Sequence, residues 1–462
     1  MGTLEAIGVG GLAALFGLLA LRMPVGLAMV AVGIAGNYAL SLAAPYLRFG
    51  PYLDQFKTLL WGTVANYELS VVPLFVLMGY LASEANLSRD LFRGVNALFG
   101  RMRGGVAMAA VGACAGFGAV CGSSLATAST MGRVALPELR RLDYHPRLAT
   151  GSLAAGGVLG ILVPPSVALV IYAIIVEASI IDMFQAAVIP GAIAVLFFMA
   201  VIALTVRLKP SAAPAAVAME PGARRSALVR LIPVLAIFSA IIVGLGFGLF
   251  TPTPAAAVGV FAVLTYGLAL RVLGDGLTGA GIVRALKDSA VTSGMIYFIL
   301  FGAEVLKGFF TRAGLPEALS DWAAVSGMDP WLVLIAVLAL LILLGCFMDS
   351  LSMILVVVPF LWPTLVAING GDYAPADTAA FGMDTGDLKI WFGILALVVV
   401  ELGLITPPVG MNVFIISALA HDVPMKEVFR GVLPFFGVEI LRVALLLAFP
   451  ALTLALPHLL SG

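Results

Sequence analysis

Two stretches of this 462-residue sequence carry the same punctuation. Ser124-Leu125 stands 13 positions ahead of Pro137, and Ser350-Leu351 stands 13 ahead of Pro363. Downstream of the first lies Gly160-Ile161-Leu162-Val163-Pro164-Pro165-Ser166. Downstream of the second lies Gly403-Leu404-Ile405-Thr406-Pro407-Pro408-Val409-Gly410. In both, a glycine precedes the Pro-Pro pair by four positions. Proline removes a backbone donor and clashes with the carbonyl one turn earlier, so two in a row break a helix and free its carbonyls. Freed carbonyls beside Ser and Thr hydroxyls are oxygen ligands for a hard cation such as Na⁺, and the N-terminal ends of half-helices suit an anion.

Those residues are set in a chain that is 62% hydrophobic and only 11% charged, with a mean hydropathy of +1.12. An ordinary soluble domain carries about 25% charge. No soluble fold of this size hides that much apolar surface. The composition excludes a soluble enzyme, a disordered chain and a nucleic-acid binder, and it specifies a polytopic membrane protein. Lys+Arg and Asp+Glu are 25 each, so the net charge is zero and no global field points to a partner. Cys114, Cys121 and Cys346 form no CxxC or Cys/His cluster and read as small packing residues. His145, His421 and His458 sit near segment ends, away from any metal-ligand spacing.

A helix needs about 20 apolar residues to cross the hydrocarbon core. The long Leu/Ala/Val runs read as helices rather than barrel strands. Spans are expected near Leu4–Leu21, Pro24–Ala43, Val71–Ser83, Gly151–Val176, Gln185–Val206, Leu231–Leu249, Ala255–Leu270, Ser289–Phe309, Ile390–Ala420 and Val432–Leu454. The first lacks a basic flank and reads as a retained span, not a cleaved signal. Tyr52–Asn66, with Asp54, Gln55, Lys57 and Trp61, reads as an interfacial amphipathic helix.

Two apolar stretches behave differently. Gly104–Pro137 is flanked by Arg101, Arg103, Arg140, Arg141 and Arg147, which place both ends on the cytoplasmic side. It is interrupted by Cys121-Gly122-Ser123-Ser124, the pattern of a re-entrant hairpin; two full spans with a short outer turn are the alternative. Trp331–Pro363 has acidic flanks, Asp321 and Asp329 before and Asp372, Asp377, Asp384 and Asp387 after. It is interrupted by Met348-Asp349-Ser350 and reads as a second hairpin from the opposite face. Basic clusters at Arg207–Arg230, Arg271–Lys287 and Lys426–Arg430 complete a threading with both termini periplasmic.

The expected fold class is therefore an all-α polytopic membrane protein made of inverted repeats, with two re-entrant helical hairpins and two broken helices, an arrangement that marks secondary transporters. The first repeat covers 1–208, with its hairpin at about 104–139 and its broken helix at about 149–178. A flexible cytoplasmic linker covers 209–230. The second repeat covers 231–462, with a hairpin at about 331–363 and a broken helix at about 390–420. The spacing from hairpin to Pro-Pro differs between repeats, mostly through the acidic insert Asn369–Leu388.

Each hairpin tip pairs with the break of its own repeat. The cation ligands expected are Gly122, Ser123, Ser124, Pro164 and Ser166 in one half, and Asp349, Ser350, Thr406 and Gly410 in the other. Substrate contacts are expected from Ser123, Ser124, Thr127, Ser166 and Asn412. Asp349 is the one carboxylate at a tip, where an ionisable group is costly and functional by default. A single Pro-Pro is usually a structural kink and a single Gly-Ser-Ser usually close helix packing. Two matched copies of each, at opposite polarity, favour function. Glu304 and Lys307 are expected to pair with each other; Glu401, one turn from the second break, is open to either reading. Glu177 and Asp182 mark a solvated end, and the 17 methionines fill the core.

At these residues the sequence resembles the large membrane (M, DctM-like) subunit of tripartite ATP-independent periplasmic (TRAP) transporters. The resemblance rests on Pro73-Leu74-Phe75-Val76-Leu77-Met78-Gly79, Gly122-Ser123-Ser124-Leu125-Ala126-Thr127, Gly160–Ser166, Phe347-Met348-Asp349-Ser350 and Glu401–Gly410, and runs from near the N-terminus to Pro457. It implies an elevator-type secondary transporter of the bacterial inner membrane, in which a mobile domain carries an organic anion, a carboxylate or acidic sugar, together with Na⁺. It implies a small four-helix membrane subunit, here a separate polypeptide, and a soluble periplasmic substrate-binding protein; membrane lipid surrounds the chain, and no nucleic acid is involved. The insert 369–388 is longer than the resemblance suggests and bears on the contact with the binding protein.

A stand-alone Na⁺/dicarboxylate symporter is the alternative transporter, and neighbouring genes would separate the two. An intramembrane enzyme would need a Ser/His pair or paired aspartates at membrane depth, which the sequence does not offer. An ATP-driven permease lacks support, and no Walker motif occurs.

Overall fold

The structure is a computed structural model and describes residues 2–21, 23–214, 220–272, 274, 276–325 and 327–460. All regular structure among them is helical. In chain order the helices are α1 (Thr3–Ala20), α2 (Val25–Ala43), α3 (Phe49–Val64), α4 (Val71–Glu84), α5 (Leu87–Phe99), α6 (Gly105–Cys121), α7 (Ser124–Arg141), α8 (Pro146–Leu162), α9 (Val167–Val176) and α10 (Ile180–Leu208). They continue as α11 (Pro221–Gly246), α12 (Pro252–Val272), α13 (Gly279–Arg312), α14 (Leu315–Val325), α15 (Pro330–Gly345), α16 (Ser350–Asn369), α17 (Thr385–Gly403), α18 (Met411–Leu419), α19 (Met425–Ala448) and α20 (Ala451–Leu460). Eight are long and apolar enough to cross a bilayer, or up to ten spans if each of two bent helix pairs counts as one.

Both helix hairpins form. Gly122 adopts φ +60 between α6 and α7, a conformation that suits glycine and turns the chain back on itself. Ser123 then caps α7, its hydroxyl accepting from the Ala126 N–H at 3.4 Å. The second hairpin turns at Cys346–Asp349, and the Asp349 carboxylate caps α16 by accepting from the Ser352 N–H at 3.1 Å. Both Pro-Pro pairs break their helices. α8 stops at Leu162 and α9 resumes at Val167 with a 45° bend. α17 stops at Gly403 and α18 resumes at Met411, with Gly410 at φ +60. The Pro164–Pro165 and Pro407–Pro408 bonds are both cis.

The broken helices form the axis of the molecule. α8 is buried on every side from Leu148 to Leu162, and α17 from Ile390 to Gly403. A helix apolar all round belongs in such a position. Within each repeat the first hairpin arm packs on the first half of the broken helix, α6 on α8 and α15 on α17. The return arms reach both halves: α7 packs chiefly on α8 and also against α18, and α16 packs against α9 as well as α17. α2, α4, α12 and α13 pack among themselves at the periphery, with α11 joining α5 and α12.

Three expectations need correction. The linker is shorter than 209–230, because Pro221 opens α11 at its first position, where its missing N–H costs nothing. Its start is also held: the Ala212 carbonyl accepts from the His145 N–H at 3.0 Å, and the Pro210 carbonyl from Arg103 at 3.0 Å. Residues 215–219 lie outside the described residues. The expected span Val432–Leu454 is two helices, parted at Phe449-Pro450. Glu304 and Lys307 are both exposed on α13 and form no ion pair with each other. α3, expected at the interface, meets the next helical segment at 55°.

Candidate substrate and cation site

The first hairpin tip lies against the first break. A Cβ on Gly122 would sit 3.0 Å from the Val167 nitrogen and 3.6 Å from the Ser166 Cα. The second tip leans on the second break, where the Cys346 thiol donates to the Pro407 carbonyl at 3.4 Å. Each tip thus meets the break of its own repeat, as the paired motifs predict.

The tips then meet each other. Ser124 and Ser350 are the first residues of α7 and α16, and both hydroxyls donate to the same oxygen, Glu401 Oε1, each at 2.7 Å. Their own oxygens are 3.5 Å apart. Glu401 is wholly buried, and its Oε2 has no hydrogen-bond partner. Their chain neighbours face the other way. Ser123, Leu125, Asp349 and Leu351 line a cavity of about 300 Å³ between the tips and helices α4 and α13. Tyr80 and Thr292 close it from the peripheral side, their hydroxyls 2.8 Å apart.

The remaining predicted ligands are placed differently from one another. Thr127, Ser166 and Asn412 are completely buried, and Thr127 Oγ1, Ser166 Oγ and Asn412 Oδ1 have no partner. Asn412 Nδ2 is spent on the Ala154 carbonyl at 3.4 Å. Buried polar atoms are nearly always satisfied; these three oxygens are among eleven buried side-chain atoms of the described residues left without a partner. Thr406 instead donates back to the Leu402 carbonyl at 2.6 Å, and Asp349 is engaged with Ser352. Pro164 lines a separate apolar pocket with Phe184, Val188 and Leu245. Gly122 and Gly410 contribute backbone in the turn conformation described above.

Among the described residues no group of three or more His, Cys, Asp and Glu is placed to hold a metal ion. The available donors are hydroxyls, an amide oxygen and broken-helix carbonyls, the set that suits a hard, oxygen-bound cation. The cavity is bounded by two helix N-termini, which suit an anion. Glu401 was legible only as an ambiguous carboxylate in an apolar run. Tyr80 and Thr292 gave no signal, because neither stands in a repeated motif.

An all-helical membrane protein in which two hairpin tips and two broken helices converge on one small cavity has the build of a solute carrier. Comparison with known proteins makes the class specific. Residues 12–452 match the family model for the DctM component of the tripartite ATP-independent periplasmic transporter. The chain is 34% identical to the C4-dicarboxylate TRAP transporter large permease protein DctM of Pseudomonas aeruginosa, over 91% of this chain and 94% of that one. It is 31% identical to the sialic acid TRAP transporter large permease protein SiaM of Vibrio cholerae, over 98% and 99%. The YdaH transporter of Alcanivorax borkumensis shares the fold, with a TM-score of 0.59 at 14% identity over 86% of this chain and 88% of that one. The chain belongs to the DctM family and is a TRAP transporter large permease subunit. It is a transport component, not an enzyme.

Proposed function

We propose that this subunit imports a small organic anion across the bacterial inner membrane by Na⁺-coupled elevator transport. The observation that carries the reading is the cavity of about 300 Å³ between two helix N-termini, with the unpartnered oxygens of Thr127, Ser166 and Asn412 in the elements behind it. The volume is at the small end for ligand sites, which run from about 300 to 1,000 Å³. C4-dicarboxylates and sialic acid, named for the relatives, are both carboxylates, and a carboxylate is the class we assign to the cavity.

In this reading Na⁺ is held at the two breaks by Gly122, Ser123, Ser124, Pro164 and Ser166 on one side, and by Asp349, Ser350, Thr406 and Gly410 on the other. Ser124 and Ser350 act through their backbone carbonyls, their hydroxyls being given to Glu401. Ser123, Thr127, Ser166 and Asn412 contact the substrate, while the hydroxyl of Ser124, expected to join them, is given to Glu401. The hairpins and broken helices, α6–α9 and α15–α18, move as one body against a scaffold of the peripheral helices. A small membrane subunit packs on that scaffold, and a periplasmic binding protein delivers the substrate. The termini face the periplasm, and the two repeats are divided by the short linker after α10.

The test is uptake into proteoliposomes holding this chain and the small subunit, with the cognate binding protein outside. An inward Na⁺ gradient should drive uptake where K⁺ does not. Asp349→Ala and Thr406→Ala should each lower it by about tenfold, the effect of losing roughly 1.4 kcal/mol of binding. Full uptake with unchanged Na⁺ dependence in both variants would sink the site assignment.

A further inference from the structure

We propose that Glu401 is a positioning residue that ties the two hairpin tips together and thereby sets the shape of the substrate cavity; the cavity's role rests on the transport reading above, but the tie does not. The two repeats reach Glu401 from separate parts of the chain. Ser124 comes from the first hairpin and Ser350 from the second, 226 positions later, and both donate to one carboxylate oxygen at 2.7 Å. The three side chains are buried, with exposures of 1%, 3% and 0% for Ser124, Ser350 and Glu401. Buried hydrogen bonds of this kind are costly to lose, because the group left behind is unsatisfied.

The electrostatics also fit a tether. A buried carboxylate needs compensation. Glu401 sits in the last turn of α17, whose dipole end is negative and gives none. The neighbouring Arg442 on α19 is already committed, to Glu439 and to the Pro190 carbonyl at 3.3 Å. What faces Glu401 instead are the positive ends of two helices, because its serine partners are the first residues of α7 and α16. One acceptor oxygen therefore serves the first residues of two helices, one from each hairpin.

The tie fixes the cavity because its wall is made of the adjoining residues. Ser123 and Leu125 flank Ser124; Asp349 and Leu351 flank Ser350; all four line the cavity. Cys121 lines it too and is half-buried, whereas Cys114 and Cys346 are buried. Loss of the common acceptor frees both tips, opens the wall and exposes Cys121.

The experiment measures maleimide labelling of Cys121 in the detergent-purified chain, resolved by peptide mass spectrometry, beside the substrate KM and maximal rate in proteoliposomes. Glu401→Gln keeps an oxygen at the same place and should label like the parent. Glu401→Ala, and the double variant Ser124→Ala/Ser350→Ala, should each label about tenfold faster, with KM raised by a similar factor and the maximal rate less affected. The serine variant adds no cavity of comparable size and serves if Glu401→Ala does not fold. Parental labelling and KM in a folded serine double variant would overturn the tether. So would Glu401→Gln behaving like the alanine variant, since charge rather than a shared acceptor would then matter. The expected labelling pattern in a parent chain that shows no Na⁺-driven uptake would sustain the tether and sink the transport reading.

Discussion

Buried polar side chains are few in this chain, and each has a distinct physical situation. Glu439 and Arg442 lie one turn apart on α19, 1% and 0% exposed, and pair with each other. The pair is worth little against an apolar replacement, but removing one member leaves an uncompensated buried charge, at a cost of about 3–5 kcal/mol. Arg442→Met should therefore lower the melting temperature sharply in detergent. Glu439→Leu/Arg442→Met should recover most of the loss, and a double variant no more stable than the single would contradict this account. Glu401 differs, since hydroxyls and helix ends rather than a guanidinium answer it. The open oxygens of Thr127, Ser166 and Asn412 differ again, having no protein partner at all. The sequence singled out those three by their place in repeated motifs. It passed over Glu439 and Arg442, whose burial follows from how α19 packs on α8 and α10.

At the scale of helices, the site depends on crossings that tolerate no side chain. A Cβ on Gly118 would come within 2.2 Å of the Gly160 Cα, backbone against backbone. Neither helix can yield there without moving the first tip off its break. Gly118→Ala should cost at least the ~1–3 kcal/mol of an overpacked core and reduce uptake in parallel. Gly10→Ala, with nothing within 4 Å, should leave the thermal midpoint within a degree or two of the parent or above it, since alanine is the better helix former. A thermal-shift series on the purified chain checks both. Hairpins and broken helices were legible because glycine, serine and paired proline interrupt apolar runs. The early start of α11 and the break before α20 were not read. Charges at Arg224, Arg225 and Arg230 resembled a loop, and Phe449-Pro450 lies in an apolar stretch. In both places a proline was the available signal, at a helix start and a helix stop respectively.

At the scale of the whole molecule, the two repeats interlock through their return arms, α7 on α18 and α16 on α9. The proposed inverted arrangement places the connecting segments on opposite faces of the membrane. Ser211, exposed in the linker, and Tyr373, 97% exposed in the acidic insert, are placed to report this. In intact cells with a permeable outer membrane, an impermeant maleimide should label Tyr373→Cys directly. Ser211→Cys should react only after the inner membrane is opened. Labelling of both from the same side would contradict the inverted arrangement.

The sequence alone determined the class of structure and where its two central helices break at the Pro-Pro pairs. Hydropathy decides what must leave water, and proline and glycine act on the backbone locally, wherever they stand. It also paired each tip with the break of its own repeat, because the motif recurs within each half. Only the tertiary structure decided that the two tips share one acceptor, that their serines point away from the cavity while their neighbours line it, and that Tyr80 and Thr292 close it. Those relations join residues up to 277 positions apart. Such contacts are set by helix crossings and rotation about helix axes, and nothing in a local pattern of residue types encodes them.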